Sequence, residues 1–202
     1  MSIAYGRRPQ IVERFNGNSL DTSVWTTFGT NRGTISVANG ECTINNSSYA
    51  GVSLSACIGM YSKLSFPVGT SITVRSKNTS GRHASVIGFG NAPNGPYVHG
   101  QGIVGTTWYA RADSVSSTIS LYDENGSTAG GNGSGATQDL RQYQIFQIKR
   151  VSSSQVEFYR NGTLEHTITG AAFSGNYPVF FSCDGWYNGN VTTVIDYVVV
   201  AE

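Results

Sequence analysis

Gln155-Val-Glu-Phe-Tyr-Arg-Asn-Gly-Thr-Leu-Glu-His-Thr-Ile-Thr169 decides the fold class. Val156 and Phe158 alternate with polar residues, which places both on one face of a strand. Asn161-Gly162 follows, and alternation resumes through Leu164, His166 and Ile168. Two alternating runs joined by Asn-Gly predict a β-hairpin with a type I′ turn, because both residues tolerate the positive φ that this turn requires. Asn-Gly begins at residues 16, 39, 94, 125, 132, 161 and 188. Several tight strand connections are therefore expected.

The same period of two recurs outward from the hairpin, and no segment holds a helical period. Gln142–Val151 sets Tyr143 and Ile145 against Phe146 and Ile148. Further strands are expected at Ile11–Phe15, Thr34–Ala38, Glu41–Asn46, Gly51–Ile58, Ser71–Arg75, Ala84–Phe89, Gly105–Arg111, Thr118–Asp123, Pro178–Cys183 and Thr192–Val200. Strands every 8–12 residues or so, with turn signals between them, mark a sandwich or barrel. The last strand is apolar on both faces near its end and is expected at the centre of a sheet. Residues 124–138 are rich in Gly, Ser and Asn and read as a long surface loop, with a linker as the alternative.

Only 12% of the 202 residues are charged, against roughly 25% in ordinary domains, and Gly, Ser, Thr and Asn supply the polarity. The length suits one domain, read as 11–202, preceded by an arm, 1–10, that carries Arg7 and Arg8. The net charge of +1 gives no broad attraction to nucleic acid or anionic lipid. No apolar run reaches the ~18 residues of a membrane-spanning helix, and the first residues contain no apolar signal core. Cys42, Cys57 and Cys183 match no zinc spacing, and Cys42 and Cys183 alternate in step with core residues. They read as buried thiols rather than a disulfide framework.

Three stretches carry a family resemblance. Glu13-Arg-Phe-Asn-Gly-Asn-Ser-Leu-Asp-Thr-Ser-Val-Trp25 opens the chain, Val156-Glu-Phe-Tyr-Arg-Asn-Gly-Thr-Leu164 forms the hairpin, and Val194-Ile-Asp-Tyr-Val-Val-Val200 closes it. In order and spacing they resemble concanavalin A-like lectin and glucanase domains, including laminin-G-like modules and family 16 glucanases. The resemblance implies an all-β, two-sheet antiparallel jelly-roll sandwich with first and last strands side by side, and Trp25 in its core. It also implies a structural Ca²⁺ held by Glu13, Gly40 and Asp196. Calcium takes six to eight hard oxygen ligands, so carboxylates, a carbonyl and waters suit it. The alternative is that Asp196, the polar exception in an apolar strand, pairs with a nearby Arg or accepts backbone N–H groups.

Glycanases of this fold place a Glu-x-Asp-x-x-Glu strand motif on one face, where one carboxylate acts as nucleophile and another as acid/base. This sequence has no such motif, and its one adjacent acidic pair, Asp123-Glu124, borders the Gly-rich stretch. His166 reads as a half-buried strand residue, and no Ser/His/Asp or dinucleotide pattern is present. What remains is Trp108-Tyr-Ala-Arg111 and Asp184-Gly-Trp-Tyr-Asn188. An aromatic face can stack on a sugar ring while Asp, Asn and Arg bond its hydroxyls. Candidate ligand residues are therefore Asp184, Trp186, Tyr187, Asn188, Trp108 and Arg111. The alternative places Trp108 and Trp186 as plugs at the end of the core.

These readings lead to the expectation of a non-enzymatic, carbohydrate- or surface-binding module. Its expected setting is the extracellular space or the surface of a phage or virus particle, as a capsid decoration or tail adhesin released by lysis. Its partners would be a glycan or cell-surface polysaccharide, other virion proteins or copies of itself. The alternatives are a purely structural decoration protein and a polysaccharide-degrading glycanase or lyase.

Overall fold

The computed structural model describes residues 9–47, 57–80, 84–90, 107–111, 118–122, 141–169, 175–184 and 191–202. Fourteen strands carry this part of the chain: β1 Pro9–Glu13, β2 Trp25–Phe28, β3 Gly33–Ala38, β4 Glu41–Asn46, β5 Cys57–Phe66, β6 Ser71–Ser80, β7 Ala84–Phe89, β8 Thr107–Arg111, β9 Thr118–Tyr122, β10 Gln144–Ser152, β11 Gln155–Arg160, β12 Thr163–Thr169, β13 Tyr177–Asp184 and β14 Val191–Ala201. One 3-10 turn, Thr30–Arg32, accompanies them.

Asn-Gly chemistry closes two of the hairpins. Asn161 and Gly162 take φ of 49° and 83° between β11 and β12, and Asn39 and Gly40 take 55° and 79° between β3 and β4. Both are the type I′ pattern that matches the twist of the flanking strands.

The strands form two antiparallel sheets. One has eight strands in the order β12-β11-β10-β6-β14-β4-β3, with β1 also on β14; the other has six, in the order β2-β5-β13-β7-β8-β9. β14 is central, as its apolar run implies. One edge pairs with β6 from Thr192 to Ala201, and the other is shared by β4 at Val191–Ile195 and β1 at Val198–Ala201. First and last strands are thus neighbours. Pro9 and Gln10, read from sequence as part of an arm, belong to β1, with Pro9 opposite Ala201.

The core lies between the sheets. Ile72, Val74, Phe146, Ile148, Val156, Phe158, Val198 and Val200 line it from the large sheet. Ile58, Met60, Ile87, Phe89, Val179 and Phe181 line it from the small one. Trp25 is 1% exposed and meets Phe181 edge-on, with centroids 5.7 Å apart. Cys42, Cys57 and Cys183 are buried free thiols, with no disulfide among the described residues.

Sequence reasoning missed three extents. It gave no strand at Trp25–Phe28, ended β5 at Ile58, and ended β6 at Arg75. The β6 continuation is polar, yet Ser76 and Asn78 are buried. Asn78 is satisfied inside the sandwich, where Thr193 Oγ1 donates to its Oδ1 at 3.2 Å, as is the buried Asn46 of β4, whose Nδ2 donates to the Cys183 carbonyl at 3.1 Å. Hydropathy marks such a row as solvent-facing, whereas internal hydrogen bonds allow it to be interior.

Candidate functional site

The six-stranded sheet has one face in the core and one turned away from it. Val179, Phe181 and Cys183 of β13 belong to the core. By alternation Phe180 and Ser182 mark the opposite face. Register fixes three rows across it. Tyr61, Phe180, Gly88 and Thr107 form one row. Phe28, Gly59, Ser182, Val86, Tyr109 and Ser120 form the next. In the last, Asp184 is opposite Cys57, one residue past the Cys183–Ser85 pair, while Ala84 is opposite Arg111.

Two glycines, Gly59 and Gly88, leave parts of this floor bare. The Phe28 ring covers Gly59 so closely that a Cβ there would lie 2.6 Å from the ring and 2.1 Å from the Phe181 carbonyl oxygen. Phe28 and Tyr61, both half-buried, stand 6.3 Å apart with rings tilted by 32°. Beside them the Ser182 hydroxyl is buried and has no hydrogen-bond partner. Two adjoining, half-buried rings are a surface on which a saccharide can stack.

This arrangement brings two of the sequence-derived clusters toward one end of one sheet. Asp184 on β13 and Arg111 on β8 occupy the same end, two strands apart. Trp108 is opposite Ile87 on β7. Trp186, Tyr187 and Asn188 lie outside the described residues, as do Asp123, Glu124 and the Gly-rich stretch. Phe28, Tyr61, Gly59 and Ser182 were missed by sequence reasoning. The step-two spacing of Ile58 and Met60 around Gly59 was the available signal.

The three positions expected around calcium lie on β1, in the β3–β4 turn and on β14. Glu13 is opposite Val198 on the core side of β14, and its carboxylate accepts from the Phe15 backbone N–H at 2.8 Å and from Trp25 Nε1 at 3.3 Å. Gly40 occupies the β3–β4 turn, near the Arg14 carbonyl. Asp196 is the extra residue where the β14–β6 register shifts, and its carboxylate pairs with Arg75. No group of three or more acidic, His or Cys side chains suited to a metal stands among the described residues.

The outer face of the eight-stranded sheet carries charged side chains beside Tyr143. Tyr143 donates to the Glu41 carboxylate, and Arg75 and Lys77 lie over its ring at 4.0 and 4.2 Å. Burial, then the bond to Glu41, pushes the Tyr143 phenol above its ordinary pKa.

No protein-family model and no curated protein matches the sequence. Solved structures do. The β-glucanase of Bacillus licheniformis superposes with a TM-score of 0.67 at 15% identity, over 95% of this chain and 97% of that one. The β-agarase B of Zobellia galactanivorans gives 0.64 at 13%, over 97% and 93%. A structure from work on endo-acting O-glycanases of the human gut microbiota that initiate mucin breakdown gives 0.66 at 15%, over 96% and 99%.

These likenesses correct one expectation. The expectation of a non-enzymatic binding module of a phage or virus particle gives way here, because structures that match the chain nearly end to end include a β-glucanase and a β-agarase. The absent Glu-x-Asp-x-x-Glu motif was given too much weight, since carboxylates can reach one face from separate strands. At the level that structure decides, the chain is a concanavalin A-like jelly roll of the kind seen in the glucanase and agarase structures.

Proposed function

We propose that the chain is a polysaccharide-cleaving enzyme that holds its substrate across the outer face of the six-stranded sheet. One observation carries this reading: the chain corresponds over 95–97% of its length to glucanase, agarase and glycosidic-hydrolase chains that it covers at 92–97%. The glycan is the expected partner, and Phe28 and Tyr61 form the stacking surface.

Glycoside cleavage needs an acid to protonate the leaving oxygen and a second carboxylate as nucleophile or base. Asp184 is the carboxylate at the end of β13, beside the stacking surface. Asp113 and Asp123 follow β8 and β9 in sequence by two residues and one. Asp113 and Asp123 are the proposed candidates for the second carboxylate.

The test is release of reducing ends from a panel of β-glucans, agars and mucin O-glycans. Turnover is expected on at least one, with a loss of a hundredfold or more in Asp184→Asn and none in Glu157→Gln. A panel without turnover, or Asp184→Asn cleaving like the native protein, would refute this assignment.

A further inference from the structure

We propose that the outer face of the eight-stranded sheet carries a second glycan site, selective for a saccharide unit bearing a carboxylate or sulfate. Register builds it from three strands. Val12 on β1 is opposite Val199 on β14, which is opposite Thr73 on β6. Tyr197 sits one row along, opposite Arg75. With Arg14 these residues line an open groove of about 410 Å³. It is on the other sheet from Asp184 and Phe28.

The lining is amphipathic in the way a sugar is. Val12, 55% exposed, and Val199 give aliphatic walls, and Tyr197 gives an aromatic one. Such surfaces take the C–H side of a sugar ring. The Thr73 hydroxyl accepts from Gln147 Nε2 at 3.1 Å, which leaves its own O–H free to donate into the groove. Tyr197 also differs from the other tyrosines of this face. Cations lie over the rings of Tyr143 and Tyr159, and none among the described residues lies over Tyr197.

Charge selects the ligand. Arg14 is exposed and has no hydrogen-bond or ion-pair partner among the described residues. Among the described residues the groove lining contains no carboxylate, and the nearby Asp196 is engaged by Arg75. A neutral sugar would leave the guanidinium uncompensated, whereas a uronate or sulfated sugar gives it a charge-assisted, bidentate partner.

The ligand class rests on the glycan reading above, while the site does not depend on cleavage. Calorimetric titration of the full chain with a hexauronate, a sulfated galactan hexamer and a neutral β-glucan hexamer tests it. At least one acidic hexamer is expected to bind ten or more times tighter than the neutral one, less tightly as salt is raised. The hexamer that binds identifies carboxylate or sulfate as the recognised group. Arg14→Gln and Val12→Asp, both at exposed positions, should each weaken that binding at least tenfold without moving the melting temperature. Asp184→Asn should leave it unchanged. Equal binding of all three hexamers, or acidic binding that survives both groove variants, would overturn the site. Acidic binding lost in Asp184→Asn but kept in Arg14→Gln would place the ligand on the other sheet and equally overturn it. If no polysaccharide is cleaved yet Arg14-dependent binding remains, the enzymatic reading fails and this site stands.

Discussion

The Glu13 carboxylate accepts a hydrogen bond from the Trp25 indole nitrogen at 3.3 Å, across the loop that joins β1 to β2. The same carboxylate takes the Phe15 backbone N–H at 2.8 Å, where Phe15 has a φ of 50° that its side chain disfavours. One acid thus ties both ends of the opening motif to the core. Trp25→Ala should destabilise the fold by about 3–5 kcal/mol through the cavity it leaves. Trp25→Phe keeps most of the apolar burial but leaves Glu13 short of a donor, for a loss of about 1–3 kcal/mol. Urea unfolding measures both. A Phe variant as stable as the native protein would show that the indole bond contributes nothing.

Cys42 sits close enough to Glu13 for the two to interact electrically. Burial, then the Glu13 charge, pushes its thiol up to about 12 from an ordinary value of 9.0. The folded state therefore keeps the proton after the unfolded chain has lost it. Stability from this group is full below pH 9 and falls as pH rises from 9 toward 12. Melting curves across that window should decline more steeply for the native protein than for Cys42→Ala. Thiol reagents should fail to label Cys42 at neutral pH until the chain unfolds. Parallel declines for the two proteins, or rapid native-state labelling of Cys42, would contradict this account.

The hairpin, the central β14 and the neighbouring termini were legible because alternation and Asn-Gly turns are local signals. The polar interior of β6 was not, since the buried Asn78 finds its partner, Thr193, only when β14 pairs beside it. For the site, Asp184 and Arg111 were readable as residue types suited to sugars. Their approach depends on β13, β7 and β8 lying side by side, an order that sequence separation hides. Phe28 was missed because four residues of strand are too few to show a period.

Arg150 is 1% exposed and braces two loops. Its Nη1 donates to the Phe66 carbonyl at 2.9 Å and its Nη2 to the Gly175 carbonyl at 2.6 Å. The guanidinium also lies 5.2 Å from the ring centroids of Phe89 and Tyr177. A planar fork can serve both carbonyls at once, and a Lys ammonium cannot hold that geometry. Arg150→Lys should lower stability by about 1–3 kcal/mol, and Arg150→Met by more, because buried carbonyls lose their donors. Equal stability of Arg150→Met and the native protein in urea would show that these bonds add nothing net.

Phe28 and Gly59 allow the stacking surface to be separated from the fold beneath it. The Phe28 ring is half-buried over Gly59, so Phe28→Ala should cost only about 1–2 kcal/mol, less than a core truncation. Its loss should lower kcat/KM on the cleaved polysaccharide by up to about tenfold, since aromatic contacts contribute roughly 0.5–1.5 kcal/mol beyond area. Gly59→Ala acts differently. Its Cβ would lie 2.1 Å from the Phe181 carbonyl oxygen, which is backbone and cannot swing aside. That variant should be destabilised by about 1–3 kcal/mol, the range for overpacking. Removing the ring as well should not rescue it, because the carbonyl clash remains in Phe28→Ala/Gly59→Ala. Activity assayed well below each variant's melting temperature reads the two effects apart. If Phe28→Ala turns over polysaccharide as fast as the native protein under those conditions, the substrate does not stack there and the six-stranded face loses its claim to the site.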